Sequence, residues 1–109
     1  MHRVTIQPLG VVLETADGTS IMDAARACGL YWPTTCGGLG ECTTCAGVIV
    51  SGAEHLSEMG RSERRSLTEN RGAAVLRRAV RLCCQARVHG DVEVEKPGVR
   101  EASAVRREA

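Results

Sequence analysis

The segment TTCGGLGECTTCAG, residues 34–47, holds three of the six cysteines of this 109-residue chain. Cys36, Cys42 and Cys45 follow the spacing C-x5-C-x2-C, and three glycines lie between the first two. Residues without a Cβ reach positive φ and let backbone N–H groups approach an anion closely. The composition of this segment is therefore typical of a loop wrapped around a negatively charged group.

A pair of cysteines far downstream, Cys83 and Cys84, offers a further ligand. Three thiolates from one loop and one from a distant strand are the arrangement that holds a 2Fe-2S cluster, in which each iron binds two thiolates and two bridging sulfides. If VRLCCQARV is one strand, alternation turns Cys84 toward the apolar side and Cys83 toward the polar side. The pattern predicts a 2Fe-2S cluster held by Cys36, Cys42, Cys45 and Cys84, with Cys83 as a partly exposed spare thiol.

Other uses of these cysteines fit less well. Zinc sites commonly combine two short knuckles, and only Cys42 and Cys45 have C-x2-C spacing. The C-x2-C-x2-C run of a 4Fe-4S site is missing, and CTTC leads into the β-branched VIV instead of the helix expected of a thioredoxin-type dithiol. The glycines do not complete a G-x-G-x-x-G dinucleotide loop, because Thr43 occupies the last position. A zinc ion or an oxidised bridge stays open as the alternative.

The rest of the chain predicts a small α+β domain. VTIQP and VVLET form a hairpin around Leu9-Gly10, and a short helix begins at the N-cap Ser20 and ends at Gly29. AGVIVSG is a strand, SERRSLTEN forms one or two helical turns capped by Ser62, and AVRLCCQARVHGDVEVEKP forms two strands about His89-Gly90. The order β-β-α-loop-β-α-β-β describes a mixed sheet covered by one main helix, with a cluster-binding loop.

Composition bounds the size and class of the protein. We place one domain at residues 1–97, and the segment 98–109, GVREASAVRREA, lacks an apolar face and is predicted to be a mobile C-terminal tail. The net charge of +1 gives no indication of nucleic-acid or membrane binding. The first residues do not form a secretory signal, and no apolar run is long enough to span a membrane, so we expect a cytoplasmic monomer. In the cytoplasm cysteines serve metal or redox chemistry more often than structural bridges.

Three further residues are predicted to have structural roles. Cys28 lies on the apolar face of the first helix and is expected to be a buried thiol. Tyr31 and Trp32 are the only aromatic residues and precede the cysteine loop, where we expect them to shield the metal site by packing.

CGGLGECTTC and RLCCQ together resemble the 2Fe-2S ferredoxins of the adrenodoxin and putidaredoxin type, whose loop is C-x5-C-x2-C and whose last ligand precedes Gln. The resemblance covers residues 3–97. It implies a β-grasp fold, the same four cysteine ligands, and transfer of single electrons by a carrier that is not an enzyme. It also implies a flavin-dependent ferredoxin reductase as electron donor and a cytochrome P450 or other oxygenase as acceptor.

One segment departs from that family. In adrenodoxin-type proteins the helix after the third ligand is acidic, whereas RSERRSLTENR, residues 61–71, is basic. Either the partner carries an acidic patch, or docking uses acidic residues elsewhere on the chain, or Arg61, Arg64 and Arg65 form an ordinary solvated helix face. The alternative function is an interaction or redox-sensing module in which zinc or a labile cluster holds the fold together.

Overall fold

A computed structural model describes residues 1–34 and 43–101. It begins with the predicted hairpin of β1 (His2–Gln7) and β2 (Val11–Thr15), whose turn contains Gly10 at a φ of 81°. The elements that follow are α1 (Ile21–Ala27), β3 (Leu30–Tyr31), β4 (Ala46–Ser51), α2 (Arg61–Arg71), β5 (Val80–Leu82), β6 (Val92–Glu95) and β7 (Arg100–Glu101). Short 3-10 helices lie at Ala53–His55 and Ala73–Arg77.

Five strands form one mixed sheet in the order β2-β1-β6-β4-β5. β1 and β6 run parallel, with Val4 opposite Val92, and the other neighbours are antiparallel. β3 and β7 pair separately as a two-stranded antiparallel sheet. The mixed sheet predicted from the sequence is confirmed.

The core lies on one face of this sheet. Strand alternation puts Val4 and Ile6 of β1 fully inside, whereas Thr5 between them stays partly exposed. The helices add apolar side chains to the same face, and burying each large aliphatic side chain contributes about 1.5–3 kcal/mol. The largest fully buried side chains are those of Ile6, Ile21, Met22, Leu67, Leu82, Val4, Val88, Val94, Cys45 and Cys83.

Both predicted ends of α1 are confirmed. The Ser20 side chain accepts a hydrogen bond of 3.1 Å from the backbone N–H of Asp23, which satisfies one of the donors left free at a helix start. Gly29 follows the helix at a φ of 81°, a conformation that favours glycine.

The predicted start and length of α2 are wrong. The helix has 11 residues, its N-cap is Gly60 with extended backbone, and Ser62 lies inside the first turn. No side chain caps this end, so the helix depends on packing of its buried face, which includes Leu67.

The two strands predicted about His89-Gly90 also differ from the structure. β5 ends at Leu82, because the carbonyl of Leu82 accepts hydrogen bonds of 2.9 Å from both Gln85 and Ala86 and closes a turn. Between that turn and β6 the chain makes two isolated bridges, from Arg87 to Ser20 and from Val88 to Leu56. β5 and β6 each pair with opposite edges of β4 and not with each other.

The segment predicted as a tail begins inside the fold. Val99 is 6% exposed, and Arg100 and Glu101 form β7 against Leu30 and Tyr31 of β3. The structured part therefore continues past Pro97, while residues 102–109 of the predicted tail lie outside the described residues.

Candidate metal centre

Two of the predicted ligands meet where β4 begins and β5 ends. Ala46, the first residue of β4, pairs with Leu82, the last residue of β5. Cys45, just before β4, and Cys84, shortly after β5, therefore lie at the same end of this strand pair. The two Sγ atoms are 3.3 Å apart, with the Cys45 thiol donating to the Cys84 sulfur. The register of one strand pair therefore brings together cysteines 39 residues apart in sequence.

The distance between these sulfurs is about 0.5 Å shorter than that expected for two thiolates on one metal ion, so a small adjustment allows joint binding. It is longer than a disulfide bond of about 2.05 Å, so these two sulfurs are not bonded to each other. Two thiolates on one tetrahedral ion, at metal–sulfur bonds of about 2.3 Å, would be about 3.8 Å apart. Thiolate is the ligand type that iron–sulfur clusters require. Within residues 1–34 and 43–101, no group of three or more His, Cys, Asp and Glu side chains could hold a metal ion by itself.

Trp32 fixes the backbone of Cys45. Its indole N–H donates a hydrogen bond of 3.0 Å to the Cys45 carbonyl, and both residues are buried. Trp32 therefore packs beside one predicted ligand, while its shielding of the metal site stays a prediction. Tyr31 differs, because it is 43% exposed and its ring lies 5.3 Å from the Arg100 guanidinium carbon.

Two cations hold the backbone just before Cys45. The Arg71 guanidinium donates to the Thr43 carbonyl at 2.9 Å and to its hydroxyl at 3.1 Å. The Lys96 ammonium donates to the Thr44 carbonyl at 2.6 Å. These charge-assisted bonds fix the loop exit and put positive charge beside a site whose thiolates would be negative.

A buried ion pair fixes the other side of the site. Glu63 of α2 is 3% exposed and binds the Arg81 guanidinium through both carboxylate oxygens, at 2.7 and 3.1 Å. The same carboxylate accepts a hydrogen bond of 2.9 Å from the backbone N–H of Leu82. Glu63 therefore ties α2 to the strand that ends two residues before Cys84.

The surroundings of Cys45 and Cys83 favour the protonated form of both thiols. The hydrogen bond with Cys84, together with burial, raises the pKa of Cys45 well above its usual range. Burial raises the pKa of Cys83 to about 12. A metal would replace the protons of its ligands, whereas Cys83 stays an inert buried thiol. The Gln85 side-chain amide donates to the Cys84 sulfur at 3.5 Å, a contact of the kind that tunes cluster potential.

Comparison with known proteins identifies the family of this chain. A model of the 2Fe-2S iron-sulfur cluster binding domain matches residues 4–89. The chain belongs to the 2Fe-2S ferredoxin family. It is 31% identical over 94 residues to 2Fe-2S ferredoxin-5 of Aquifex aeolicus, covering 86% of this chain and 95% of that protein.

Two solved ferredoxin structures share the fold. The crystal structure of an ISC-like 2Fe-2S ferredoxin from Pseudomonas putida is similar with a TM-score of 0.75 and 30% identity, covering 89% of this chain and 93% of that one. A putidaredoxin mutant is similar with a TM-score of 0.68 and 28% identity, covering 87% and 95%. The predicted β-grasp fold and the resemblance to putidaredoxin-type ferredoxins are confirmed.

The cofactor of this ferredoxin is a 2Fe-2S cluster, and the protein is an electron carrier, not an enzyme. Cluster chemistry of this kind moves electrons without transforming a substrate at the protein.

No helix among residues 1–34 and 43–101 has both the length and the apolar character needed to cross a membrane.

The structure brings together only part of the predicted ligand set. Cys45 and Cys84 are in contact, while Cys36 and Cys42 lie outside the described residues. The prediction of a partly exposed Cys83 is wrong, because Cys83 is fully buried. Strand alternation ends at Leu82, and the turn that follows sends Cys83 into the core and Cys84 toward the ligand loop.

The prediction of a buried Cys28 is also wrong. This thiol is exposed, because α1 ends at Ala27 and Cys28 is its C-cap, with non-helical backbone. Ile21 and Ala25 fill the buried face of the helix without it.

Sequence reasoning missed Glu63, Arg71 and Lys96, which hold the backbone around the two cysteines. For Glu63 a signal existed, because it lies four residues before Leu67 and so shares the buried face of α2. An acidic residue on such a face predicts a buried cationic partner. Arg71 and Lys96 carry no comparable signal, since their partners are backbone carbonyls.

Proposed function

We propose that Cys36, Cys42, Cys45 and Cys84 hold the cluster, with Cys45 and Cys84 bound to the same iron. The observation that carries this assignment is the 3.3 Å separation of the Cys45 and Cys84 sulfurs. Cys83 packs elsewhere, with its sulfur 3.8 Å from the Arg81 carbonyl. Cys36 and Cys42 complete the set through the C-x5-C-x2-C spacing.

The cluster supplies one reversible electron per chain when it is bound. The residues around it keep the ligands in place in both oxidation states. Trp32 excludes water from the backbone of Cys45, and Glu63 fixes the start of the turn that carries Cys84. Such a preorganised frame limits the rearrangement that accompanies electron transfer.

For partners, we propose a flavin-dependent ferredoxin reductase as the donor and a cytochrome P450 or other oxygenase as the acceptor. The resemblance to the putidaredoxin type supports this pairing, and so does the similarity to a putidaredoxin structure over 87% of the chain. We further propose that the carrier works as a monomer in the cytoplasm, where a reducing environment keeps thiols such as Cys28 free.

Replacing Cys84 by serine and, in a separate variant, Cys83 by serine tests the ligand assignment. Cys84→Ser should abolish or alter the visible absorption of the purified protein, because a proposed ligand is lost. Cys83→Ser is the matched control and should keep the spectrum of the parent protein. Loss of the spectrum in Cys83→Ser with retention in Cys84→Ser would refute the assignment.

A further inference from the structure

The net positive charge of this chain comes from one segment. Residues 61–78 contain six arginines and two glutamates, which leaves eight bases and eleven acids, a net charge of −3, on the rest of the chain. Of the two glutamates, Glu63 is buried against Arg81, so only Glu69 remains exposed to offset the arginines. All six arginines are exposed. This segment therefore presents a net charge of +5 to solvent although the whole chain carries only +1.

The position of these charges is unfavourable for the helix itself. Arg61, Arg64 and Arg65 all lie in the first five residues of α2, at the positive end of its dipole. Arg61 and Arg65 are also spaced i and i+4, where like charges repel. Gly60 offers no capping side chain to offset them. A charge cluster that opposes helix stability is better explained by binding than by folding.

The arginines lead to the metal centre. Arg61, Arg64, Arg65 and Arg71 lie along one side of α2, given about 100° of rotation per residue, and the row spans about 15 Å. At the end of this row Arg71 binds Thr43, two residues before Cys45. A partner protein that covers these four arginines therefore also reaches the backbone at Thr43, close to the proposed ligand Cys45.

A groove continues the surface beyond Arg71. It has a volume of about 470 Å³ and lies between β4, β5 and the 3-10 helix Ala73–Arg77. Its lining combines apolar side chains with two arginines: Val48, Ala74, Val75, Val80, Arg71 and Arg78. Val48 is 43% exposed, so the floor of the groove presents apolar surface to solvent. The groove fits an apolar side chain flanked by carboxylates.

We propose that this arginine face, formed by Arg61, Arg64, Arg65, Arg71 and Arg78, is the docking surface for an acidic redox partner protein. An apolar side chain of the partner enters the groove between Arg71 and Arg78. The proposal rests on the electron-carrier function, because the partner must approach the cluster to exchange an electron. Complementary charge of this kind accelerates encounter while leaving the complex short-lived.

Nucleic acid is the other polyanion that an arginine surface could bind. The segment 61–78 contains no aromatic residue on which a base could stack. Its contact with the cysteine loop through Arg71 also has no role in binding a phosphate backbone. Both features favour an acidic protein as the partner.

Electron transfer from the reduced holoprotein, separated from excess dithionite, to cytochrome b5, a haem protein with an acidic surface, tests the proposal by stopped flow. Arg64→Glu combined with Arg65→Glu should slow the bimolecular reaction by about tenfold or more at low salt. Arg3→Glu combined with Arg26→Glu makes the same change in net charge at exposed sites outside the arginine face and should change the rate less than about twofold. Equal losses in the two double variants would overturn the proposal.

The groove has its own matched pair of variants. Arg77 and Arg78 are adjacent and exposed, but only Arg78 lines the groove. Arg78→Glu should therefore slow the reaction with cytochrome b5 more than Arg77→Glu does. Equal effects would remove the groove from the docking surface.

Two further measurements separate the docking proposal from its premise. Each variant should keep the visible spectrum of the parent, because within residues 1–34 and 43–101 none of the changed residues contacts Cys45 or Cys84. A parent protein that accepts no electron contradicts the carrier function itself. A different set of results would contradict only the docking proposal. In that case the parent is reduced normally and transfers electrons to cytochrome b5 without salt dependence, and it binds duplex DNA through Arg64 and Arg65.

Discussion

Two polar networks lie at opposite ends of the five-stranded sheet, and they differ mainly in burial. At the end near Cys45 and Cys84, Glu63 and Arg81 form an ion pair with side chains 3% and 12% exposed. At the other end, where β1 starts, Asp17 binds His2 at 2.8 Å and His89 at 3.2 Å. There the Asp17 side chain is 67% exposed.

The contrast shows which contacts hold the metal centre. Removing one member of a buried pair leaves the other charge without water or a partner, whereas exposed charges are readily solvated again. The buried Glu63 carboxylate also binds the backbone N–H of Leu82, and three separate side chains bind the backbone of Thr43, Thr44 and Cys45. The buried ion pair of this chain therefore lies at the end of the sheet where the proposed ligands are held.

The largest effect is expected at Glu63. Glu63→Gln removes the charge that partners Arg81 and should lower the free energy of unfolding by about 3–5 kcal/mol. Glu69→Gln, an exposed change on the same helix, is the control and should change it by less than about 0.5 kcal/mol. Urea unfolding followed by far-UV circular dichroism measures both. Similar midpoints for the two variants would mean that the buried pair does not stabilise this end of the sheet.

A smaller effect is expected at Trp32. Trp32→Phe keeps an aromatic ring but loses the N–H donor to the Cys45 carbonyl, which should cost about 1–3 kcal/mol. The rate at which visible absorbance decays in urea should rise accordingly. Tyr31→Phe, at the partly exposed neighbour, serves as the control and should leave this rate close to that of the parent. A faster decay in Tyr31→Phe than in Trp32→Phe would contradict the role given to the indole.

The smallest effect is expected at Asp17. Hydrogen bonds from His2 and His89 lower the pKa of Asp17 below its ordinary value of 3.8. Because the folded pKa is the lower one, the carboxylate stabilises the fold above pH 3.8 and loses this contribution as the pH falls through the folded pKa. Asp17→Asn should therefore lower the unfolding midpoint slightly at pH 6, and this effect should shrink as the pH falls below 3.8. A difference between parent and variant that grows toward acid would contradict the sign of this shift.

Local signals in the sequence predicted much of the fold. Ser20 and Gly29 marked the ends of α1 because a cap and a left-handed glycine act on adjacent backbone only. The hairpin of β1 and β2 was predicted for the same reason. The cysteine spacing indicated the cofactor, since few metal groups use C-x5-C-x2-C with a distant fourth thiol.

Features that depend on tertiary contacts could not be predicted in this way. Alternation along residues 80–88 assumed a continuous strand, but the turn closed by the Leu82 carbonyl inverts the orientation of Cys83. Residues Arg100 and Glu101 form a strand only because β3 lies beside them. The extension of α2 beyond two turns depends on Glu63 and Leu67 packing against the sheet, and its own propensity does not decide it.

Metal analysis combined with electron paramagnetic resonance tests the central claim most directly. The purified chain should be brown and contain about two iron and two sulfide per molecule, and one-electron reduction should produce a paramagnetic signal from a mixed-valence pair. Cys84→Ala should lose this signal while Cys83→Ala retains it. A colourless protein with a single zinc ion and no signal on reduction would contradict the account.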